Sequence, residues 1–395
     1  MRNVDLSSCL LALFVLLILK QRSVAAETEA LSSSSPAVLF VFGDSTVDAG
    51  NNNYIDTVPD YQANFEPYGH NGFFDHPTGR FSDGRVIVDF IAEYAKLPLL
   101  PPYLQPNADY SGGANFASGG GGILSTTHEG LVIDLGTQLR HFEELERSLI
   151  KKLGPENVTE IISKAVYFIS MGSNDYIGGY FGNPKMQELH GPEEYVGMVI
   201  GNLTEAIQKL YEKGARKFGF LNLSPLGCLP VLRALHPKGP DHGGCFEEAS
   251  ALALAHNNAL NLVLSSLEQI LEGFKYCNSN FYDWLTHRIH NPTLHGYKEG
   301  VNACCGSGPY RGIPSCGGRR KVSEEYAQCD NVEDYIWFDS FHPIERIHRD
   351  YAKTLWDGPP STVGPYSLKH LFFPDTKLTI ADVVDDPENE HPITA

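Results

Sequence analysis

Short apolar runs that empty into glycine- and asparagine-rich polar segments recur along this chain, and they predict its sheet. Residues 37–42 (AVLFVF) are rich in strand formers and lead at once into GDSTVDAGNNN. That is the profile of a buried strand running into a loop. Residues 113–118 (GANFAS) predict a second short strand before four consecutive glycines. Residues 165–170 (AVYFIS) predict a third, ending in MGSND, and residues 216–223 (RKFGFLNL) a fourth. Residues 279–284 predict the last. Between these runs the period changes. Residues 86–95 have helical spacing, and Leu139, Phe142, Leu145, Leu149 and Leu153 fall three or four apart across 137–153, as an amphipathic helix requires. Residues 193–213 read as a helix stopped by Gly214, 246–273 as a long Ala/Leu-rich helix, and 344–356 as a final one. Alternating strands and helices imply an α/β fold with a mainly parallel sheet covered on both faces. No internal repeat interrupts it.

Composition narrows the setting. The 395 residues are 42% apolar and 20% charged, enough for a large core. The net charge of −18 argues against a nucleic-acid partner or an anionic membrane surface. Arg2, an apolar run from Leu10 to Leu19 and the small residues Val24-Ala25-Ala26 have the layout of a secretory signal peptide, residues 1–26. The run is shorter than the ~20 residues of a membrane span, so the mature chain is expected to be exported, without a transmembrane segment. Residues 375–395 are acidic and contain proline, and are expected to form a mobile tail beyond a single domain at 27–374.

Cysteine usage agrees with export. Apart from Cys9, seven cysteines remain. Cys228 and Cys245 flank a Pro/Gly/His-rich loop and are placed to close it. Cys304, Cys305, Cys316 and Cys329 supply two further bridges, crossing or nested, whose connectivity sequence does not fix. Cys277 is left as a buried free thiol. Asn157, Asn202 and Asn222 lie in glycosylation sequons. Asn222 ends an apolar run just before Ser224-Pro225, a poor place for a glycan.

In an open parallel sheet, ligands bind outside the carboxyl ends of the strands. Three polar segments leave their strands there: Gly43-Asp44-Ser45, Gly119-Gly120 and Gly172-Ser173-Asn174-Asp175. Ser45, on a strand-to-loop turn, is the nucleophile candidate, and a serine needs a general base. Among fifteen histidines, His342 stands out because Asp339 precedes it by three residues. At that spacing a carboxylate reaches the ring nitrogen that faces away from the serine. It can equally cap a helix beginning near Pro343. The Ser45 N–H, a glycine N–H from the 119–122 run and the Asn174 amide are the candidate donors to a developing oxyanion. There is no G-x-S-x-G, H-E-x-x-H, phosphate loop or dinucleotide fingerprint, and no metal or cofactor is expected.

These residues resemble the plant GDSL esterases/lipases of the SGNH hydrolase superfamily. Phe42-Gly43-Asp44-Ser45 with Asp48-Ala49-Gly50-Asn51-Asn52-Asn53 looks like the first block of that family. Asn115-Phe116-Ala117-Ser118-Gly119-Gly120 looks like the second, Gly172-Ser173-Asn174-Asp175 the third, and Asp339-Ser340-Phe341-His342-Pro343 the fifth. The likeness runs from about residue 37 to about 373 and includes Pro77–Arg85 and Ala303–Gly306. It implies a three-layer α/β/α sandwich, the flavodoxin-like SGNH hydrolase fold. It also implies a catalytic set of Ser45, Asp339 and His342 with an oxyanion hole of Ser45, Gly120 and Asn174, acting on lipid or small acyl esters. Gly120 is chosen over Gly119 by its distance from Asn115. Thr46 departs from the family, whose name implies leucine there, and packing beneath the turn is expected to differ. An acyltransferase using the same acyl-enzyme, or a non-catalytic defence or binding protein on this fold, are the other readings.

Overall fold

The five residues of strand β1, Leu39–Gly43, are all buried, as a strand covered on both faces must be. Phe40 and Phe42 point to one face, where Phe40 meets Phe142 with ring centroids 5.1 Å apart. The computed structural model describes residues 37–236, 244–320, 323, 325–360 and 362–374. The expected leader at 1–26 and tail at 375–395 lie outside the described residues.

Strands β2 (Gly113–Asn115), β3 (Val166–Ser170), β4 (Lys217–Phe220) and β5 (Lys275–Ser279) join β1 in a parallel array. Its order is β2-β1-β3-β4-β5, the doubly wound arrangement whose ligand crevice opens between β1 and β3. Leu135–Leu153, Pro192–Glu212 and Glu247–Ile270 form one helical layer, and Ile87–Tyr94, Glu345–Asp357 and Leu368–Phe372 the other. The three-layer α/β/α sandwich is as expected. Smaller pieces lie outside it: β6 (Glu299–Ala303) pairs with β9 (Tyr335–Trp337), and β7 (Cys305–Gly306) with β8 (Ala327–Gln328). A sixth strand of the main sheet, β10 (Val363–Pro365), runs antiparallel along β5. It is short and carries Pro365, which suits a sheet edge.

The last parallel strand is not at 279–284. It lies at Lys275–Ser279, and Phe281–His290 is a helix. The Asn280 side chain accepts from the Asp283 N–H at 3.0 Å and so starts that helix. The aromatic residues that mimic a strand there are its first turn. Elsewhere the expected elements are present with shifted ends, and β2 and β4 are shorter than their apolar runs.

Among the described residues three disulfides occur, Cys228–Cys245, Cys304–Cys329 and Cys305–Cys316, the last nested inside the second, and Cys277 is a buried free thiol. Asn157 and Asn202 are exposed on their helices, whereas Asn222 is buried. Among the described residues, no helix is long and apolar enough to cross a membrane.

Candidate active site

Register brings the first and third polar segments level. Gly43 of β1 pairs with Ser170 of β3, and the Asp44 N–H donates to the Ser170 carbonyl at 3.0 Å. A Cβ on Gly43 would lie 2.3 Å from that carbonyl oxygen, so only glycine lets the turn pass this close. Gln138 clamps the same residue from the helix above. Its amide donates to the Gly43 carbonyl at 2.8 Å and accepts from the Gly43 N–H at 2.9 Å. Ser45 emerges from this rigid turn.

His342 comes from the other end of the chain. After β9 the backbone folds back, with the Phe338 N–H donating to the His342 carbonyl at 2.7 Å. Cys304 and Cys305, each in a disulfide, donate their N–H groups to the carbonyls of Trp337 and Phe338 at 2.9 and 2.7 Å. The loop between β9 and the following helix is thus held by the cross-linked segment. His342 Nε2 lies 2.7 Å from Ser45 Oγ. His342 Nδ1 lies 2.8 Å from Asp339 Oδ1 and 3.0 Å from Oδ2. The Phe81 ring packs on the imidazole with centroids 4.9 Å apart. Such a line is the arrangement that activates a serine hydroxyl.

Asp339 is fully buried. Burial alone would raise its pKa, but His342, by charge and hydrogen bond, then Arg320 and Tyr68, hold it well below the usual carboxylate range. Asp339 does not cap the helix Glu345–Asp357. The Glu345 N–H goes to Asp83 Oδ1 at 2.7 Å, while Asp339 Oδ1 accepts from the N–H groups of Phe341 and His342 at 2.9 and 2.8 Å.

The glycine run is wired to the serine loop. Asp48 Oδ1 accepts from Gly50 and Asn51 N–H, and its Oδ2 accepts from the Gly119 N–H at 2.9 Å. Asn51 Nδ2 donates to the Asn115 and Ala117 carbonyls, both at 2.8 Å, and Asn52 Nδ2 to the Gly119 carbonyl at 2.8 Å. The Gly119 N–H is therefore committed to Asp48. Gly120, with φ of 80°, borders the same cavity as Ser45 and Asn174. Asn174 Nδ2 donates to the Gly121 carbonyl at 3.0 Å, and the amide has a second N–H. Asp175 joins the third segment to the glycine loop by accepting from Ile123 N–H, Leu124 N–H and Thr127 Oγ1 at 2.8, 2.9 and 2.7 Å. Burial pushes Asp44, Asp48 and Asp175 up to about 6, against the hydrogen bonds that lower them.

Thr46 does not pack beneath the turn. It is half-buried, borders the cavity, and donates its N–H to Asp44 Oδ1 at 3.0 Å. The sequence reading missed Gln138, Asp48 as a brace, Tyr68 and Arg320. Only the repeated asparagines after Asp48 hinted at such wiring, since unusual buried amides need partners.

The cavity holds about 230 Å³. Sheet order divides its lining. On the β2 side stand Asp60, Tyr61, Gly120 and His128, and on the β4–β5 side stand Leu226, Leu229, Phe281 and Leu285.

Behind His342, His348 is buried and pushed down to about 3, first by burial and then by His342. Burial pushes His256 down to about 3 as well. A histidine lowered in the fold stabilises it above pH ~6.5, and that stability is lost as pH falls toward 3. Asp44, Asp48, Asp83 and Asp175, raised to about 6, act oppositely between about pH 4 and 6. They are common to wild type and variant, so they cancel in a difference. His348→Gln is expected to flatten the decline of Tm between pH 7 and 4.5. An equal pH slope in both proteins would contradict the neutral buried ring.

Fold and constellation together define an ester-hydrolysing enzyme, and the chain belongs to the GDSL lipase family: residues 39–355 match the family described as GDSL-like Lipase/Acylhydrolase. Among its relatives, GDSL esterase/lipase 4 of Arabidopsis thaliana is 46% identical over 346 residues, 86% of this chain and 91% of the relative. GDSL lipase of Tanacetum cinerariifolium is 46% identical over 345 residues, 87% and 90% of the two chains. GDSL esterase/lipase 5 of Arabidopsis thaliana is 47% identical over 340 residues, 85% and 87%.

Proposed function

We propose that this protein is an exported serine carboxylic ester hydrolase that works through an acyl-enzyme on Ser45. The observation that carries the reading is the continuous line from Asp339 through both imidazole nitrogens to Ser45 Oγ. His342 takes the Ser45 proton as Oγ attacks the ester carbonyl. The tetrahedral oxyanion is held by the Ser45 and Gly120 N–H groups and the Asn174 amide. His342 returns the proton to the departing alcohol. Water, deprotonated by His342, then releases the acid. Asp339 keeps the imidazole in the tautomer that accepts at Nε2 and stabilises the cation formed. Export rests on the leader-like residues 1–26 and the disulfides, and glycans belong at the exposed Asn157 and Asn202.

The divided cavity orients the substrate. The acyl chain lies against Leu226, Leu229, Phe281 and Leu285, and the alcohol against Asp60, Tyr61 and His128. Each acyl methylene buried there contributes roughly 0.8 kcal/mol, about fourfold in kcat/KM, until that side is filled. A fluorophosphonate is expected to label Ser45 stoichiometrically and abolish turnover of p-nitrophenyl esters. Their kcat/KM is expected to climb from acetate toward hexanoate. Labelling at another residue would remove Ser45 from the mechanism, and a flat series would remove the apolar acyl side.

A further inference from the structure

Asp339 has two oxygens, and the backbone of its own loop donates to one of them, Oδ1. Oδ1 accepts from two backbone N–H groups and faces His342 Nδ1. Oδ2 shares the His342 Nδ1 proton at 3.0 Å and, in a residue with no solvent exposure, takes its second donor from elsewhere, because an ionised carboxylate short of partners is costly to bury. That donor comes from 271 residues away: the Tyr68 hydroxyl donates to Asp339 Oδ2 at 2.6 Å. Behind it, Arg320 Nη2 donates to the Tyr68 oxygen at 2.7 Å. Both side chains are buried.

We propose that Tyr68 and Arg320 are positioning residues for ester hydrolysis, holding Asp339 ionised and aimed at His342 through the chain Arg320–Tyr68–Asp339–His342. The proposal rests on the reading of Ser45 as nucleophile. It assigns the reaction five aligned groups rather than three.

The chemistry of each link has one direction. Arg320 can only donate. Tyr68 is held well above its ordinary value, by burial first, so it keeps its proton and must give it toward Asp339. A cation donating to the hydroxyl oxygen polarises the O–H and strengthens its bond to the carboxylate. Arg320 stays charged in spite of burial because Tyr68, Asp339 and Asp60 surround it. Packing fixes the pair. The Tyr68 ring stands edge-on to Phe65, Phe81 and Phe338. Gly317, at φ of 83°, lies so close to the Phe65 ring and the Glu66 carbonyl that a Cβ there would sit 2.5 and 2.6 Å from them. This contact seats the Arg320 segment against the Tyr68 segment. The Cys305–Cys316 bridge anchors it four residues upstream of Arg320.

Removing the hydroxyl or the cation leaves a more basic carboxylate. It grips the imidazolium proton harder, so the acid limb of kcat/KM moves to higher pH. The other titratable groups facing this line are Asp44 across the serine turn, with Asp175 beyond it, His348 on the helix behind His342, and Asp60 beside Arg320. Asp83 and Glu345 stand at the start of that helix. All are unchanged in the variants, so the shift reports the missing link.

The test compares Tyr68→Phe, Arg320→Met and Arg320→Lys with wild type, using a p-nitrophenyl ester across pH and fluorophosphonate labelling of Ser45. Tyr68→Phe is expected to lower kcat roughly tenfold to a hundredfold, the range found when the partner behind a metal-bound imidazole is lost. KM should stay within about twofold and the acid limb should rise by about half a pH unit or more. Arg320→Met should move the limb the same way, and Arg320→Lys, which keeps the charge, should recover most of it. A Tyr68→Phe enzyme with wild-type kcat and an unmoved limb overturns the proposal. So does a rise in KM alone, which would make Arg320 a substrate contact, or a lower Tm with an unchanged profile, which would make the pair structural. Tyr68→Phe removes a single atom from a packed ring and decides the matter even if Arg320→Met does not fold. Absence of label on wild-type Ser45 would instead sink the nucleophile reading itself.

Discussion

Ser45→Ala is expected to lower kcat for a p-nitrophenyl ester roughly 10⁵- to 10⁶-fold while leaving the fold intact. The size follows from the unit that Ser45 completes. On the proposed mechanism, His342 without Oγ has no hydroxyl to deprotonate, and what remains is binding and polarisation by the oxyanion donors. The fold is spared because the turn is not held by the serine side chain. Its backbone is fixed by Gln138 on Gly43 and by the Asp44 N–H on Ser170. The hydroxyl's bond to His342 faces the cavity, where water can replace it. A stability change within about 1 kcal/mol is expected. Retention of more than a few per cent of activity, or a large fall in Tm, would each contradict this account.

Asp339→Asn should come close behind, with a loss of roughly 10⁴-fold, and the geometry says why an isosteric change is so damaging. The N–H groups of Phe341 and His342 both point at the Oδ1 position. They will hold the new amide oxygen there and force the NH₂ group to the Oδ2 position, 3.0 Å from His342 Nδ1. The amide then donates to Nδ1. The imidazole is driven to the tautomer protonated at Nε2, which cannot accept from Ser45. The amide also meets the Tyr68 hydroxyl donor. Asp339→Asn is therefore expected to lose stability as well, by about 1–3 kcal/mol for a mismatched buried donor. Measured kcat within tenfold of wild type would refute the tautomer argument.

What could be read from sequence was whatever is local. Strands β1 and β3 announce themselves because each is a compact apolar run that meets a glycine at or just past its end, Gly43 and Gly172. The pairing of Asp339 with His342 is legible because three residues separate them. That adjacent Cys304 and Cys305 bridge outward and not to each other follows from the poor geometry of bonding neighbours, whereas crossing and nested pairings are alike in sequence and only the fold selects the nested one. Strand β10 was invisible, since three residues ending in proline carry no period, and only the edge of β5 makes them a strand. β5 itself was displaced because Phe281 and Tyr282 look like strand residues until Asn280 caps the helix. Tyr68 sits in Pro67-Tyr68-Gly69, which reads as an ordinary turn. Its partner lies too far along the chain for any spacing rule to find. Gly119 and Gly120 could be ordered by analogy alone; the Asp48 bond separates them physically.

The sequence separation of 297 between Ser45 and His342 has a consequence for the life of the molecule. Chains emerge from synthesis amino end first and fold as they go. On the proposed mechanism the nucleophile is made early, and its base arrives only when nearly the whole domain has been extruded and β9 has docked. Until then the serine hydroxyl is an ordinary alcohol. A nascent or misassembled copy is thus chemically silent toward the esters around it, and turnover itself certifies that synthesis and folding have both finished.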